Sequence, residues 1–281
     1  MAFSTDASEY LPAGHERVAL QVAYHGRHYH GWQRQKGALS VQEKLETALS
    51  EVANVPIKVV CAGRTDAGVH ASGQIVHFDT PNPRPMRAWT HGGNMHLPDD
   101  IAIQWAKVVP ESFHARFAAV ARQYRYVIYN HPMRPALMDK EVTWNFRSLD
   151  VVKMQEAAGY LEGEHDFSSF RASACQASSP VRQVHSIKVY VAGNYIVVDV
   201  RANAFLHHMI RNFAGLLMAI GAGKQPPVWA QQVLQARDRR QSAATAAPYG
   251  LYFVNAEYAP EFALPVTTLG PHFLQPWLPL V

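Results

Sequence analysis

Apolar positions in the first half of the chain follow two periods, one typical of strands and one typical of helices. Residues 17–24 form a mainly apolar run that predicts a strand. The capping-box sequence Ser40-Val41-Gln42-Glu43 opens a segment with apolar residues at helical spacing, which predicts a helix. The runs that follow predict strands at 57–61, 74–78 and 101–109, with a helix at 86–95 before the last of them. This order is β-α-β-β-α-β, the split βαβ arrangement.

The second half of the chain repeats this element order. Residues 124–129 alternate between two faces and predict a strand, and 149–161 predict a helix. Residues 184–191 and 195–200 predict a hairpin, because Gly193-Asn194 between them tolerates a positive φ. A further helix around 206–220, an inserted helix at 229–236 and a closing strand at 251–256 complete the series. The repeat is one of element order, without residue identity between the halves.

The predicted fold is therefore α+β, with two split βαβ units. The first unit would span 15–112 and the second 113–258, with the boundary between the last strand of one and the first strand of the other. Residues 1–14 and 259–281 show no periodicity and are predicted to be irregular. A chain of 281 residues is long enough for two such units to bury a substantial core.

Composition narrows the class of protein without deciding its function. The chain is 48% hydrophobic and 17% charged, as is typical of a folded soluble protein. Its 26 Lys and Arg against 22 Asp and Glu favour a polyanionic partner only slightly. Cys61 and Cys175 lie far apart, so neither a disulfide framework nor a cysteine zinc site is indicated. The sequence has no secretion signal, and its most apolar stretch, 213–223, is too short to span a bilayer, so we expect a cytoplasmic location and no membrane association.

The strongest chemical candidate is the glycine-rich segment 63–74, which lies between two predicted strands. It contains Arg64, Asp66 and His70 among three glycines. One interpretation is a tight turn that Asp66 caps and Arg64 pairs with; the other is a loop that presents Asp66 as a nucleophile or base. Arg211, at the margin of the apolar face of the predicted helix around 206–220, would keep such a carboxylate ionised if the two met. The alternative for Arg211 is an ordinary solvent-exposed arginine.

Aromatic and basic residues alternate in two other segments, 24–35 and 121–126. In the second, Arg122, Tyr124 and Tyr126 share one strand face. Stacking rings beside cations suit single-stranded or looped RNA, although packing within the protein would also explain them. Among the fifteen histidines, the HxH spacing of His28 and His30 and the adjacent pair His207 and His208 invite a metal interpretation, but no HExxH motif occurs and the nearby carboxylates do not make a ligand set. No nucleotide-binding glycine motif occurs, and we expect neither a metal nor an organic cofactor.

Taken in order, these segments resemble the tRNA pseudouridine synthase A family over about residues 17–258. The most specific match is the segment from Gly63 to Gln74, reading GRTDAGVHASGQ. The segment from Tyr24 to Gln35, the RQYRY sequence at 122–126, ANAFLHHMIR at 202–211 and APYGL at 247–251 follow in the order of the family. One departure is His25, where many members carry an acidic residue.

This resemblance implies a uridine isomerase that acts on the tRNA anticodon stem-loop, at about positions 38, 39 and 40, without a metal or cofactor. It implies a homodimer and a fold of two ferredoxin-like units that share an extended, mainly antiparallel sheet flanked by helices. The first unit would carry the catalytic loop and the second would complete the cleft. A non-catalytic RNA-binding protein on the same fold is the alternative interpretation.

The resemblance also assigns roles to individual positions. Asp66 would be the catalytic nucleophile that starts cleavage of the bond between C1′ and N1 of the target uridine, either by attack on the sugar or by removal of its 2′-proton. Arg64 would help to extrude that uridine and Tyr124 would stack on the flipped base. The predicted substrate-binding residues are Tyr124, Arg64, Arg211, Leu251 and His70, with Arg211 paired to Asp66 and Leu251 lining an apolar wall.

Overall fold

In the computed structural model, which describes residue 11 and residues 13–277, ten strands form one sheet. Their order is β4-β1-β3-β10-β5-β9-β8-β7, with β2 beside β3 and β6 beside β5. Among these pairs only β3–β10 and β5–β6 are parallel, so the sheet is mostly antiparallel. The strands are β1 (Glu16–Tyr24), β2 (Val60–Cys61), β3 (His70–Thr80), β4 (Ile101–Val108), β5 (Ala121–Asn130), β6 (Thr143–Asn145), β7 (Gly163–Asp166), β8 (Val181–Ala192), β9 (Tyr195–Ala202) and β10 (Leu251–Glu257).

Five helices complete the mixed architecture within the described part of the chain. They are α1 (Val41–Ala53), α2 (Gly93–His96), α3 (Val151–Gly159), α4 (Met209–Gly221) and α5 (Trp229–Ala236). The Ser40 half of the predicted capping box is present, since the Ser40 hydroxyl accepts a hydrogen bond of 3.3 Å from the Glu43 N–H at the start of α1. No helix of these residues is long and apolar enough to cross a membrane.

Most predicted elements occur, and the exceptions have local causes. The predicted strand at 57–61 is reduced to the two residues of β2, because the Ile57 and Val59 N–H groups bond to Ser50 and Glu46 of α1 instead of a neighbouring strand. The predicted helix at 86–95 is confirmed, with helical residues from 86 to 96, but its middle (Ala88–Gly92) is π-helical before it continues into α2. The short strands β6 and β7 were not predicted, because neither shows an apolar alternation.

The helix predicted around 206–220 begins only at Met209. His208, the residue before it, has a left-handed backbone conformation with φ of 63°, so the α-helix starts only after this residue. The preceding residues, including Leu206 and His207, therefore form a turn that leads into the helix, and this turn carries part of the candidate site described below.

Strand β10 joins the two halves of the sheet. It lies between β3 and β5, where Tyr252 pairs with His70 and Phe253 pairs with Tyr124. The loop before β3 and the middle of β5 are thereby brought together, although more than fifty residues separate them in sequence. The division into units at 15–112 and 113–258 stays a prediction, because both halves contribute to one continuous sheet.

The register of the strands defines two faces of the sheet. Phe78 and Tyr124 lie on what we call the cleft face, whose residues also include Val18, Leu20, Val76, Tyr126, Val198 and Phe253. The opposite side, here the reverse face, carries Arg17, Asp79, Arg125, Asp199 and Tyr252.

The C-terminal segment covers part of the reverse face. The Arg125 guanidinium donates to the carbonyl oxygens of Leu269 and Gly270, at 3.1 and 2.6 Å, and Leu274 is fully buried beside the strands. Among the described residues after 258 the regular elements are two 3-10 helices, Pro260–Phe262 and His272–Trp277. Of the predicted irregular N-terminus, residues 1–10 and 12 lie outside the described residues.

Candidate active site

Asp66 lies in the loop between β2 and β3, and the backbone of a neighbouring segment holds this loop in place. The Trp32 N–H donates to the Thr65 carbonyl at 3.0 Å, and the Gly68 N–H donates to the Tyr29 carbonyl at 3.4 Å. Within the loop, the Val69 N–H donates to the Asp66 carbonyl at 3.1 Å. The backbone that presents the Asp66 side chain is therefore fixed on both sides of the residue.

Two glycines make this close approach sterically possible. A Cβ at Gly26 would lie 2.0 Å from the Val69 carbonyl oxygen, and a Cβ at Gly31 would lie 2.6 Å from that of Thr65. Gly31 also has φ of 92°, which other residues rarely adopt. The segment 24–35 therefore supports the Asp66 loop.

The aromatic residues of this segment are buried. Tyr24, Tyr29 and Trp32 are at most 4% exposed, and the Tyr24 hydroxyl hydrogen-bonds to that of Thr65 at 2.7 Å. Of the two interpretations left open for this segment, this burial favours packing within the protein over stacking on RNA. The packing of these rings against the loop explains why aromatic residues and glycines alternate here.

His70, the first residue of β3, supports the Asp66 loop and is 1% exposed. Its Nδ1 accepts from the Gly26 N–H at 3.0 Å, so Nε2 carries the proton and donates to the Lys140 carbonyl at 2.8 Å. Burial, reinforced by His25, lowers the pKa of His70 to about 4, so the ring is neutral near neutral pH. Substrate binding by His70 stays a prediction, but both ring nitrogens already bond within the protein, and the contacts favour a supporting role.

His25, the departure from the family pattern, belongs to the same support. Its ring lies 4.4 Å from that of His70, and its Nε2 is 3.0 Å from a Glu141 carboxylate oxygen. In this chain Glu141 thus supplies the carboxylate next to His25, which stands at the position where many members of the family carry an acidic residue.

The start of α4 brings three basic side chains to the Asp66 carboxylate. Nε2 of His207 lies 3.3 Å from Oδ1, and Nε2 of His208 lies 3.4 Å from Oδ2. Nη1 of Arg211 is also 3.4 Å from Oδ2. The Asp66 side chain remains 24% exposed, so its carboxylate is accessible from the solvent while Arg211 and the two imidazoles lie around it. Burial lowers the pKa of His208, an effect that the nearby Asp66 charge opposes.

Arg211 is held in a fixed orientation. Its Nε donates to the Ala246 carbonyl at 2.9 Å, and its own carbonyl accepts from the Ala246 N–H at 3.1 Å. The side chain is 14% exposed, so the structure places it against Asp66 and not in solvent. Its guanidinium supplies a permanent charge at the carboxylate, as the ionised form of a nucleophile requires.

The apolar part of the site lies on β5 and β10. Tyr124 is 7% exposed, and its ring meets those of Phe205 and Phe253 edge to face, with centroids 5.1 and 4.9 Å away. Burial raises the pKa of Tyr124 well above its usual value, and the nearby Tyr24 and Asp66 add to the effect. Leu251, at the start of β10, is 6% exposed and belongs to the same core cluster.

The two arginines at the mouth of the site differ in their contacts. Arg64, two residues before Asp66, is exposed. Arg122 instead donates to the carbonyl oxygens of Ala119 and Asn203, at 2.9 and 2.8 Å, and to those of Ala62 and Arg116. The exposed Arg64 side chain is therefore accessible to a ligand in solution, whereas Arg122 holds the start of the Asp66 loop against the neighbouring segments.

Sequence reasoning missed the roles of His207 and His208 in this site. It found the histidine pair but no carboxylate to complete a ligand set, because Asp66 is more than a hundred residues away in sequence. In the structure the three side chains offer ligand atoms within 4.8 Å of one another. The only sequence signal was that the pair directly precedes the helix that carries Arg211.

Comparisons with known proteins show which family the chain resembles. A family model described as tRNA pseudouridine synthase matches residues 20–118 and 157–259. The chain is 59% identical to tRNA pseudouridine synthase A of Pseudomonas aeruginosa over 95% of its own length and 94% of that protein. It is 57% identical to the protein of the same name from Alcanivorax borkumensis, over 94% and 97% of the two chains. A solved Cbf5-Nop10-Gar1 complex is a distant structural match, with a TM-score of 0.33, 11% identity and coverage of 84% of this chain and 58% of that chain.

Proposed function

The chain belongs to the tRNA pseudouridine synthase family, and we propose that Asp66 is the nucleophile with which it converts uridine to pseudouridine in tRNA. The observation that carries this proposal is the placement of the Asp66 carboxylate. It lies on a braced loop, is open to solvent on one side, and has Arg211 and two histidines 3.3–3.4 Å from its oxygens. A solvent-facing turn cap would not need such an arrangement.

The reaction rearranges one nucleoside without gain or loss of atoms. The bond between C1′ and N1 breaks, the freed uracil turns, and a bond between C1′ and C5 forms, while the C5 proton is lost and N1 gains a proton. In our proposal Asp66 attacks the ribose at C1′ and carries it until C5 replaces the carboxylate. No cosubstrate is needed, so a few side chains suffice.

The target base has to leave its helix before it reaches Asp66. Flipping a base out of the stack costs a few kcal/mol. We propose that Arg64 extrudes the uridine, because this arginine is exposed at the mouth of the site, two residues from the nucleophile. Tyr124 would then stack on the base and Leu251 would line its apolar side. A flat ring allows the freed uracil to turn in its own plane, which a set of fixed hydrogen bonds would oppose.

We further propose that the substrate uridines lie in the anticodon stem-loop, at about positions 38, 39 and 40, and that the protein works as a cytoplasmic homodimer. The similarity of the whole chain to the curated synthases supports these assignments, and the mild excess of Lys and Arg suits a polyanionic partner. Modification mapping of tRNA from cells without the protein, and light scattering of the purified protein, test the two points separately.

The strand order supports two ferredoxin-like units, which we propose as the evolutionary and structural subdivision of the chain. In the first half β4, β1, β3 and β2 are neighbours, and in the second half β10, β5, β9 and β8 are neighbours. In each half the fourth strand thus lies beside the first, and the third strand lies between the first and the second.

The decisive experiment is a tritium-release assay on tRNA that carries C5-labelled uridine. We expect the wild-type protein to release tritium and Asp66→Ala to release none. Equal binding of labelled tRNA by both proteins would show that the variant is folded. Binding of tRNA by the wild type without tritium release would contradict the proposal and favour the non-catalytic RNA-binding alternative.

A further inference from the structure

Asp66, His207 and His208 form a cluster that the isomerase chemistry does not account for. Isomerisation needs the carboxylate and a charge such as that of Arg211, but it does not need two imidazoles whose Nε2 atoms both point at the nucleophile. The ring centroids of the two histidines lie 4.0 Å apart. Nε2 of His207 contacts one oxygen of the Asp66 carboxylate, and Nε2 of His208 contacts the other.

The three donors lie close enough together to share one metal ion. Zinc binds imidazole nitrogen and carboxylate oxygen at about 2.0–2.1 Å, so two ligands of a tetrahedral site lie about 3.3–3.4 Å apart. Nε2 of His207 lies 3.3 Å from Oδ1 and Nε2 of His208 lies 3.4 Å from Oδ2, so each imidazole has this spacing to one carboxylate oxygen. One ligand atom from each of the three residues falls within 4.8 Å of the others, so small side-chain adjustments would bring all three to one ion. Three protein ligands would leave the fourth position open to water.

The donor atoms indicate which metal ions the cluster would bind, and the exposure of the side chains indicates that an ion can reach it. Two imidazole nitrogens and one carboxylate suit zinc and its neighbours in the transition series, whereas magnesium and calcium prefer oxygen ligands. The side chains of His207, His208 and Asp66 are 37%, 28% and 24% exposed, so an ion can enter from solution. Arg211, 3.4 Å from Oδ2, opposes a cation and makes the site weaker than the same ligands would be without it.

From this geometry we infer that the Asp66–His207–His208 cluster binds a divalent transition-metal ion such as Zn²⁺, and that the bound ion inhibits the enzyme. A metal on the Asp66 carboxylate occupies the oxygen that would attack the ribose. Metal and target nucleotide then exclude each other. The inhibition rests on the proposed role of Asp66, whereas the metal binding does not.

The binding is tested with Zn²⁺ alone, by calorimetry on metal-free full-length protein. We expect one ion per chain in the wild type and affinity at least about tenfold lower in Asp66→Asn, His207→Gln and His208→Asn, since the loss of even an outer-shell partner costs about 10–100-fold. Asparagine is chosen at position 208 because it tolerates the left-handed backbone found there. His185→Gln, an exposed histidine in β8, serves as the matched control and should bind as the wild type does.

Two further measurements separate this site from adventitious binding. Arg211→Gln should bind Zn²⁺ more tightly than the wild type, because it removes the opposing charge, while a site elsewhere would not respond. Co²⁺ in place of Zn²⁺ should give visible bands typical of tetrahedral nitrogen and oxygen ligation, without the charge-transfer band of a thiolate. Unchanged affinity in the folded Asp66 and His207 variants, or a thiolate band, would overturn the inference, whether or not the His208 variant folds.

The inhibition is tested on the same proteins in the tritium-release assay. Zn²⁺ should inhibit the wild type and His185→Gln in competition with tRNA, and a chelator should restore activity. The residual activity of His207→Gln should require at least about tenfold more Zn²⁺ for half inhibition, in line with its weaker binding. If the wild type binds Zn²⁺ as expected but never releases tritium, the proposed function fails while the metal site stands. Tight binding at the cluster without any inhibition would overturn the inhibitory role.

Discussion

Carboxylates on the two faces of the sheet meet their basic partners in different ways. On the reverse face, Asp79 accepts two hydrogen bonds from Arg17, of 2.7 and 2.8 Å, and Asp199 accepts from Arg125 at 2.8 Å and from Gln123 at 2.7 Å. On the cleft side, three basic groups surround Asp66, but each of these contacts is 3.3–3.4 Å long. Both arrangements neutralise a carboxylate, but only the reverse-face contacts are short.

This difference separates a carboxylate that holds the fold from one that is available to react. Short bonds to both oxygens use the lone pairs of Asp79 and Asp199, and partial burial makes these pairs costly to break. The longer contacts at Asp66, of which the one to Arg211 supplies a permanent positive charge, leave its oxygens less fully used. We therefore expect substitutions on the reverse face to lower stability, and those around Asp66 to lower activity.

The matched substitutions Asp66→Asn and Asp199→Asn test this contrast most directly. Asp66→Asn should reduce tritium release at least about a thousandfold, because an amide cannot replace the nucleophile, while the free energy of unfolding changes little. Asp199→Asn should lower the free energy of unfolding by about 3 kcal/mol, because it leaves Arg125 buried without its counter-charge, while activity per folded molecule is retained. Urea denaturation and the isomerisation assay provide the two readouts. The contrast fails if each variant loses activity and stability together.

The reverse side of the sheet also contains histidines that should control stability in acid. Burial lowers the pKa of His70 to about 4 and that of His77 to about 3, from 6.5. Below pH 6.5 the unfolded chain takes up protons that the folded protein cannot accept, so stability is complete above that pH and falls as the pH drops toward 4. His70 alone should account for a loss of up to about 3 kcal/mol between pH 6.5 and 4.

The variant His70→Gln isolates this effect. Its free energy of unfolding should be lower than that of the wild type at pH 7.5, because one of two buried hydrogen bonds is lost, but should fall less steeply between pH 6.5 and 4. Urea denaturation at a series of pH values measures the slope. An unchanged slope would mean that His70 is protonated in the folded state and that the neutral tautomer assigned above is incorrect.

The same contrast is expected between two arginines, Arg211 beside Asp66 and Arg201 on the reverse face. Arg211→Gln should reduce tritium release about 10–100-fold, because it removes the fixed charge 3.4 Å from the nucleophile. Arg201→Gln breaks the pair with Glu257 on the reverse face, but this pair is 38% and 30% exposed and should contribute less than about 1 kcal/mol. Its activity should equal that of the wild type. A large loss of activity in Arg201→Gln would show that the reverse face takes part in catalysis or tRNA binding.

The sequence predicted the element order well, because most elements have a clear apolar period. The hairpin at Gly193-Asn194 and the helix opened by Ser40 occur as predicted. The two-residue strand β2 could not be foreseen, since its shortness results from bonds between residues 57–59 and side chains of α1. The central place of β10 was equally hidden, because strand order depends on which edges meet in space.

At the site, motif resemblance identified residues, while the structure revealed how they are supported. Asp66 and Arg211 were named together, and they lie in contact. The sequence left open whether Trp32 packs or binds, because an aromatic ring in a glycine-rich segment looks the same in both cases, and the burial of His70 was not predicted. The contact of His207 and His208 with Asp66 could be recognised only from the folded structure, because these residues come from the two halves of the chain.

The smallest expected effect concerns the hydroxyl groups of two tyrosines on opposite faces. Tyr124→Phe keeps the ring between Phe205 and Phe253 and should change tRNA affinity less than a few-fold, whereas Tyr124→Ala should lose about 1–3 kcal/mol of base stacking. Tyr252→Phe, on the reverse face, removes a bond to the Glu141 carbonyl and should cost about 1 kcal/mol of stability without any change in affinity. Filter binding with labelled tRNA and urea denaturation measure both. Equal loss of affinity in Tyr124→Phe and Tyr124→Ala would mean that Tyr124 acts through its hydroxyl, and stacking on the cleft face would be the wrong account.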